Sequence, residues 1–342
     1  MKKNISLLAV FFLTKICLAQ NIKVQIEQLY KNDISIRAFV LDANKMFFVS
    51  NKNRFGSVDL TTKTTEIIEI KKDSLSIEFR SIAQTKSNIF ALTVGNPALL
   101  YKIDKKTLDP KLVYIENHDK VFYDGMQFSD NKNGIAFGDP IDGRFSIIIT
   151  SDGGESWSKL SSDKSPIAND GEAAFAASNS TLVVNKANVW FATGGKSTRI
   201  FKSDDFGKSW QNFETPLIHG DAMTGIFSMD FADHENGFIV GGNYEKPLDQ
   251  SKNKAKSTDG GKTWQLVANK RDFGYASCVN FDKNSKGKRL ATVGADGVFL
   301  SNNSGETWTQ IATDKDLSVC KFFDAKTIIA AGKNKILKFT IK

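Results

Sequence analysis

Apolar residues recur along the chain in short runs rich in Phe, Ile and Val, broken by clusters of Gly, Asn, Asp and Ser. That is the rhythm of strands and turns, and no segment sustains a helical period. Read as groups of four strands, residues 122–129, 134–138, 145–150 and 157–160 make one unit, and 226–231, 237–241, 254–258 and 264–267 make a later one. Residues 34–70 and 77–115 fit two earlier units. Residues 317–341 supply only three strands, and 22–29, ahead of the first unit, is available as the fourth. Pairing the two termini in this way closes a ring and removes the exposed edges of an open sheet. The expected fold is all-β: a β-propeller of seven blades, with six or eight as the alternatives, occupying residues 20–342 as one domain.

A repeat punctuates the pattern. The octet Ser/Thr-x-Asp/Asn-x-Gly-x-Ser/Thr-Trp occurs at 150–157, 203–210, 257–264 and 301–308, with successive tryptophans 53, 54 and 44 residues apart. Fixed-period self-similarity is the signature of a repeat architecture. Asp152, Asp205, Asp259 and Asn303 are placed to accept backbone N–H bonds inside a hairpin turn, and the glycine two residues on supplies a positive φ. Trp157, Trp210, Trp264 and Trp308 then open the next strand and bury against the blade, so the octet reads as a structural staple.

Composition adds a compartment. Lys2 and Lys3, an apolar run over residues 5–13 and Cys17-Leu18-Ala19 before Gln20 form the pattern of a cleaved secretory signal over residues 1–19. The run is too short to span a membrane, so an exported protein of the periplasm or extracellular space, without stable membrane insertion, is expected. Without Lys2, Lys3 and Lys15 the formal charge falls from +8 to +5. The remaining basic residues are interspersed with acidic ones, which argues against nucleic-acid binding. Cys278 and Cys320 occupy equivalent places in successive repeats and read as two buried thiols.

Four Asp-box octets in an exported propeller resemble the BNR-repeat superfamily, which includes sialidases, xyloglucan-degrading hydrolases, sortilin-type receptors and the photosystem II stability/assembly factor family. The likeness to bacterial homologues of that assembly factor rests on residues 138–145 (Gly-Asp-Pro-Ile-Asp-Gly-Arg-Phe), 171–178 (Gly-Glu-Ala-Ala-Phe-Ala-Ala-Ser), Gly194-Gly195 with Arg199, Gly225-Ile226-Phe227-Ser228 and Gly241-Gly242-Asn243-Tyr244. The resemblance implies a binding or assembly role and supplies no activity.

The face opposite the octets is where a propeller offers ligand contacts. On this strand reading it gathers Arg37, Arg80, Asp124, Asp139, Arg144, Glu172, Arg199, Tyr244 and Tyr275 as the candidate ligand-binding set. The chain has 39 lysines and only seven arginines, yet six arginines fall on this rim or at the channel mouth. A guanidinium fork suits carboxylate, sulfate or phosphate better than a lysine point charge does. The first expectation is therefore a non-catalytic, monomeric protein that grips an acidic peptide, a protein or another anionic or glycan ligand. The alternative is a glycoside hydrolase, for which Asp139, Asp142 and Glu172 are the candidate carboxylates. Phe79-Arg80-Ser81-Ile82 meets the sialidase Phe/Tyr-Arg-Ile-Pro pattern only in part. No nucleotide-binding glycine motif supports an oxidoreductase, Gly195-Lys196-Ser197 lacks the first glycine of a phosphate loop, and three scattered histidines predict no metal or other cofactor.

Overall fold

A computed structural model describes residues 22–342; the signal segment expected at 1–19 lies outside them. Short antiparallel strands follow one another as the alternation of apolar runs and turn residues predicts. One sheet holds, from the axis outward, Phe79–Gln84, Asn88–Thr93, Ala98–Asp104 and Pro110–Glu116. The next holds Tyr123–Phe128, Gly134–Ile141, Arg144–Thr150 and Ser158–Lys159, and a third holds Leu182–Asn185, Asn188–Ala192, Arg199–Ser203 and Gln211–Glu214. Thr224–Phe231, Gly237–Asn243, Lys254–Ser257 and Gln265–Leu266 form the fourth, extended at its inner edge by the two-residue strands Gly194–Gly195 and Glu172–Ala173. The fifth holds Ala276–Phe281, Leu290–Gly294, Gly297–Ser301 and Thr309–Ala312.

The sixth sheet corrects the expected count. Its order is Leu317–Asp324, Thr327–Ile341, Val24–Asp42, Lys45–Ser50, Arg54–Asp59 and Thr65–Glu69. The 19-residue strand Val24–Asp42 pairs Thr327–Ile341 through residues 24–35 and Lys45–Ser50 through residues 36–42. No turn interrupts it, so the strands that the sequence divides into a last and a first blade belong to one hydrogen-bonded sheet. The propeller therefore has six sheets and not seven separate blades. Because Val24 pairs with Ile341, the two ends of the described residues are zipped together.

Burial falls from the axis outward. Every residue of Thr224–Phe231 and Gly237–Asn243 is buried, whereas Thr65–Glu69 and Gln211–Glu214 are largely exposed. Strands buried on both faces lose the strict apolar–polar alternation, which explains runs such as Phe47-Phe48-Val49.

The octets join the third and fourth strands of four sheets. In the second, the Ser203 hydroxyl donates to Asp205 Oδ1 (2.7 Å) and accepts from Gly207 N (2.7 Å), while Asp205 accepts from Ser209 N (2.9 Å) and Ser209 Oγ (2.6 Å). Thr150/Asp152, Ser257/Asp259 and Ser301/Asn303 repeat this arrangement. Asn303 does the aspartate's work with its amide oxygen, and its Nδ2 donates to Thr307 Oγ1 (2.9 Å). Trp157 and Trp308 are buried and Trp210 and Trp264 partly so, and Trp210, Trp264 and Trp308 donate to the carbonyls of Gly207, Gly261 and Gly305 (3.1, 3.0 and 3.0 Å). Trp157 sits edge-on to Phe90 of the preceding sheet and to Phe128, and its ring nitrogen is unpartnered among the described residues.

The box glycines have a second task. A Cβ on Gly154 would lie 2.2 Å from the Phe90 ring, and one on Gly305 would lie 2.1 Å from the Phe238 ring. Both rings stand on the second strand of the preceding sheet, so the turn is seated against its neighbour. Cys278 and Cys320 are buried free thiols. Among the described residues no helix is long and apolar enough to cross a membrane.

Candidate functional site

Most of the innermost strands, though not Leu182–Asn185, share one irregularity. Register shifts fall between Ile36 and Ala38, Phe79 and Ser81, Ile226 and Ser228, Ala276 and Cys278, and Leu317 and Val319. The pairing of Tyr123–Phe128 similarly passes over Asp124. A bulge releases one residue from the ladder and re-aims its side chain. The residues released are Arg37, Arg80, Asp124, Phe227, Ser277 and Ser318, at equivalent places in their strands.

All of these except Asp124 line two adjoining hollows at the axis, on the face opposite the Asp boxes. The first, about 390 Å³, is bounded by Arg37, Arg80, Phe122, Asp139, Met223, Phe227, Tyr244 and Tyr275. The second, about 460 Å³, shares Arg37, Tyr244 and Tyr275 and adds Ser277, Lys315, Ser318 and Lys333.

The chain between Glu172–Ala173 and Leu182–Asn185 closes the first hollow from below. Ser178 Oγ donates to Ser277 O (2.7 Å), Asn179 Nδ2 donates to Ile82 O (2.8 Å), and Asn179 Oδ1 accepts from Met126 N (2.9 Å). These partners lie on three different sheets, so the segment crosses the axis. The small side chains of Ala174, Ala176 and Ala177 let it fit, and Asn179 takes the left-handed conformation (φ 58°) that asparagine tolerates.

The charges of the hollow are unevenly matched. Arg80 Nε donates to Glu78 Oε1 (2.9 Å), whereas Arg37 Nε is buried with no hydrogen-bond partner among the described residues. Asp139 accepts from Ala174 N (2.8 Å), and burial lifts its carboxyl from the usual 3.8 to about 6. Asp124 is fully buried behind it, and neither carboxyl oxygen has a partner among the described residues. Burial, and after it the Asp139 charge, hold the Asp124 carboxyl well above the carboxylate range, against the pull of Arg80. Burial likewise raises the Tyr275 phenol. Phe175 and Phe227 stack face to face (3.9 Å between centroids), with Tyr275 edge-on to Phe227 (4.8 Å) and Tyr244 edge-on to Tyr275 (5.2 Å).

Of the nine ligand-binding candidates, Arg37, Arg80, Asp139, Tyr244 and Tyr275 meet in the first hollow, and Asp124 stands behind it. The other three lie apart. Arg144 donates to Ser165 O (2.7 Å) and lines a separate depression with Asp142. Glu172 and Arg199 form a buried, two-pronged ion pair: Arg199 Nε donates to Oε1 (3.0 Å) and Nη2 to Oε2. The guanidinium also donates to Asn212 Oδ1 (3.2 Å) and Ile167 O (3.0 Å), so its donors are committed within the protein. Asp142 is exposed in the tight turn with Gly143. Asp139, Asp142 and Glu172 thus do not line one cleft. Among the described residues no group of three or more His, Cys, Asp or Glu side chains is placed to hold a metal ion.

Sequence reasoning missed Phe175, Phe227, Ser277 and Ser318. Aligning the first strand of each repeat would have found three of them: Ile36-Arg37-Ala38, Phe79-Arg80-Ser81, Ile226-Phe227-Ser228, Ala276-Ser277-Cys278 and Leu317-Ser318-Val319 hold the released residue in the middle. Phe175 carries no such signal, because it lies on the crossing segment.

A family model for the BNR/Asp-box repeat matches residues 255–266, which include the third octet. No curated protein matches the sequence. Among solved structures, the chain is similar to YCF48 bound to D1 peptide (TM-score 0.66, 12% identity, 93% of this chain and 95% of that one). It is also similar to the RRP9 WD40 repeats (TM-score 0.67, 12% identity, 94% and 100%). The GH74 enzyme of Niastella koreensis gives a TM-score of 0.64 at 13% identity over 92% of this chain and 53% of the enzyme. At such identities the likeness establishes the β-propeller fold alone.

Proposed function

We propose that this chain is a non-catalytic binding or assembly protein whose axial hollow takes an acidic segment of a peptide or protein partner. Arg37 carries the reading. Its Nε is buried and unpartnered among the described residues, in a hollow that also holds Arg80, and a buried donor without an acceptor is costly unless a ligand supplies one. A carboxylate offers two oxygens in the geometry a guanidinium fork accepts. The reading is supported by the neighbour whose structure holds a D1 peptide on the same fold. Kinship with bacterial homologues of the photosystem II stability/assembly factor family belongs to this reading. So does export, which predicts a mature N-terminus near Gln20 in the mass of the secreted protein.

The glycoside hydrolase alternative has a neighbour in the GH74 enzyme. It has less support, since Glu172 is engaged by Arg199 and Asp142 lies off the hollow that Asp139 lines. The test is fluorescence anisotropy of labelled acidic peptides against their amide counterparts. The acidic forms are expected to bind more tightly at low salt, and Arg37→Gln to weaken them about tenfold. Equal binding of acidic and amide peptides refutes the proposal.

A further inference from the structure

The guanidinium groups account for only one wall of the hollow. Phe175 and Phe227 are stacked, Tyr275 stands edge-on to Phe227, and Met223 lies beside them. Three alanines of the crossing segment, Ala174, Ala176 and Ala177, line the hollow beside them and leave its volume open where larger side chains would fill it. Tyr244, 48% exposed, borders both hollows, and Leu248, 66% exposed, follows Pro247, which lines the second. Most large apolar side chains of the described residues are buried, so the half-exposed Tyr244 at this rim offers apolar surface that a partner can cover. Arg37 belongs to both hollows, so an acidic group seated on it holds the neighbouring part of its own chain over this aromatic wall.

Resting on the peptide-binding reading above, we infer that the hollow selects an acidic residue flanked by an apolar or aromatic one, whose side chain inserts against Phe175, Phe227, Tyr244 and Tyr275. An acidic charge alone is then an incomplete ligand. The guanidinium pair draws and orients the carboxylate, and burial of the flanking side chain supplies discrimination that salt does not screen. Association should show a negative heat-capacity change, the mark of apolar burial.

Isothermal titration calorimetry with the full chain and two acidic peptide sets tests this, the sets differing only in Leu or Phe against Ser beside the acidic residue. The Leu and Phe peptides are expected to bind about tenfold more tightly, and the ratio should persist at high salt. Tyr244→Ser, at an exposed position that leaves the core intact, should bring the ratio toward one. Equal affinity of both sets, with Arg37→Gln still weakening each, overturns the inference while leaving the acidic-peptide reading standing. If no acidic peptide binds, both fall.

Discussion

Asp139→Asn should stabilise the protein at pH 8 and leave it nearly unchanged at pH 4. Asp139 stands at the register shift between Gly138 and Pro140, its Oδ1 accepting from Ala174 N, with burial lifting its carboxyl from 3.8 to about 6. Asp124 on the neighbouring strand is close enough for the two carboxyls to repel, and Arg37, Arg80, Tyr244 and Tyr275 line the same hollow as Asp139. Below pH 4 both folded and unfolded chains carry the proton. Between about 4 and 6 the unfolded chain releases it first, so stability falls as pH rises, and the loss is complete above about pH 7. A gap of roughly two pH units at about 1.4 kcal/mol each sets a ceiling near 3 kcal/mol, and water entering the open hollow lowers this to roughly 1–3 kcal/mol. Asparagine keeps the acceptor for Ala174 N and never ionises. Denaturant melts of both proteins at pH 4 and pH 8 are the assay. A stability difference of the same size and sign at both values would refute the assignment of a buried, reluctantly ionised carboxyl.

Three other outcomes are expected. Glu172→Ala should cost about 3–5 kcal/mol, because it strands the buried Arg199 charge; a melt within 1 kcal/mol of the parent (about that margin) would place the pair at the surface. Trp308→Phe should cost about 1–2 kcal/mol more than Trp157→Phe, since Trp308 donates its ring N–H to Gly305 O whereas that of Trp157 has no partner among the described residues; equal costs would show that ring burial alone stabilises the box. Asn179→Ala removes bonds to two neighbouring sheets and should destabilise by roughly 1–3 kcal/mol, with faster hydrogen exchange at the Met126 amide as the local readout; unchanged exchange there would mean that the segment does not hold the axis.

How much of this was legible in the sequence depends on the range of the contacts. The bonds that the Ser/Thr hydroxyls and the Asp or Asn side chains of the boxes make within the turn are local, with donor and acceptor inside eight residues, and the octet defined its turn from Ser203 to Trp210 as the structure has it. The strands of the inner units were legible for the same reason. The sheet count was not, because nothing between Tyr30 and Ile36 announces that one strand runs on past the point where its partner changes. At the site, Arg37, Arg80 and Asp124 were found through their charge. Phe227 and Ser277 fill equivalent bulges but carry no charge to draw notice. Arg199 looked free because its partner Glu172 is 27 residues away and meets it only after two sheets have packed. The crossing of the axis by residues 174–181 depends on distant carbonyls at Ile82 and Ser277 and leaves no periodic trace.

That crossing makes the wheel solid at its axle. Residues 174–177 line the first hollow on the segment that spans the sheets, so a ligand entering there is expected to leave by the way it came. If the hollow takes a peptide, its dwell time is expected to be set at that mouth.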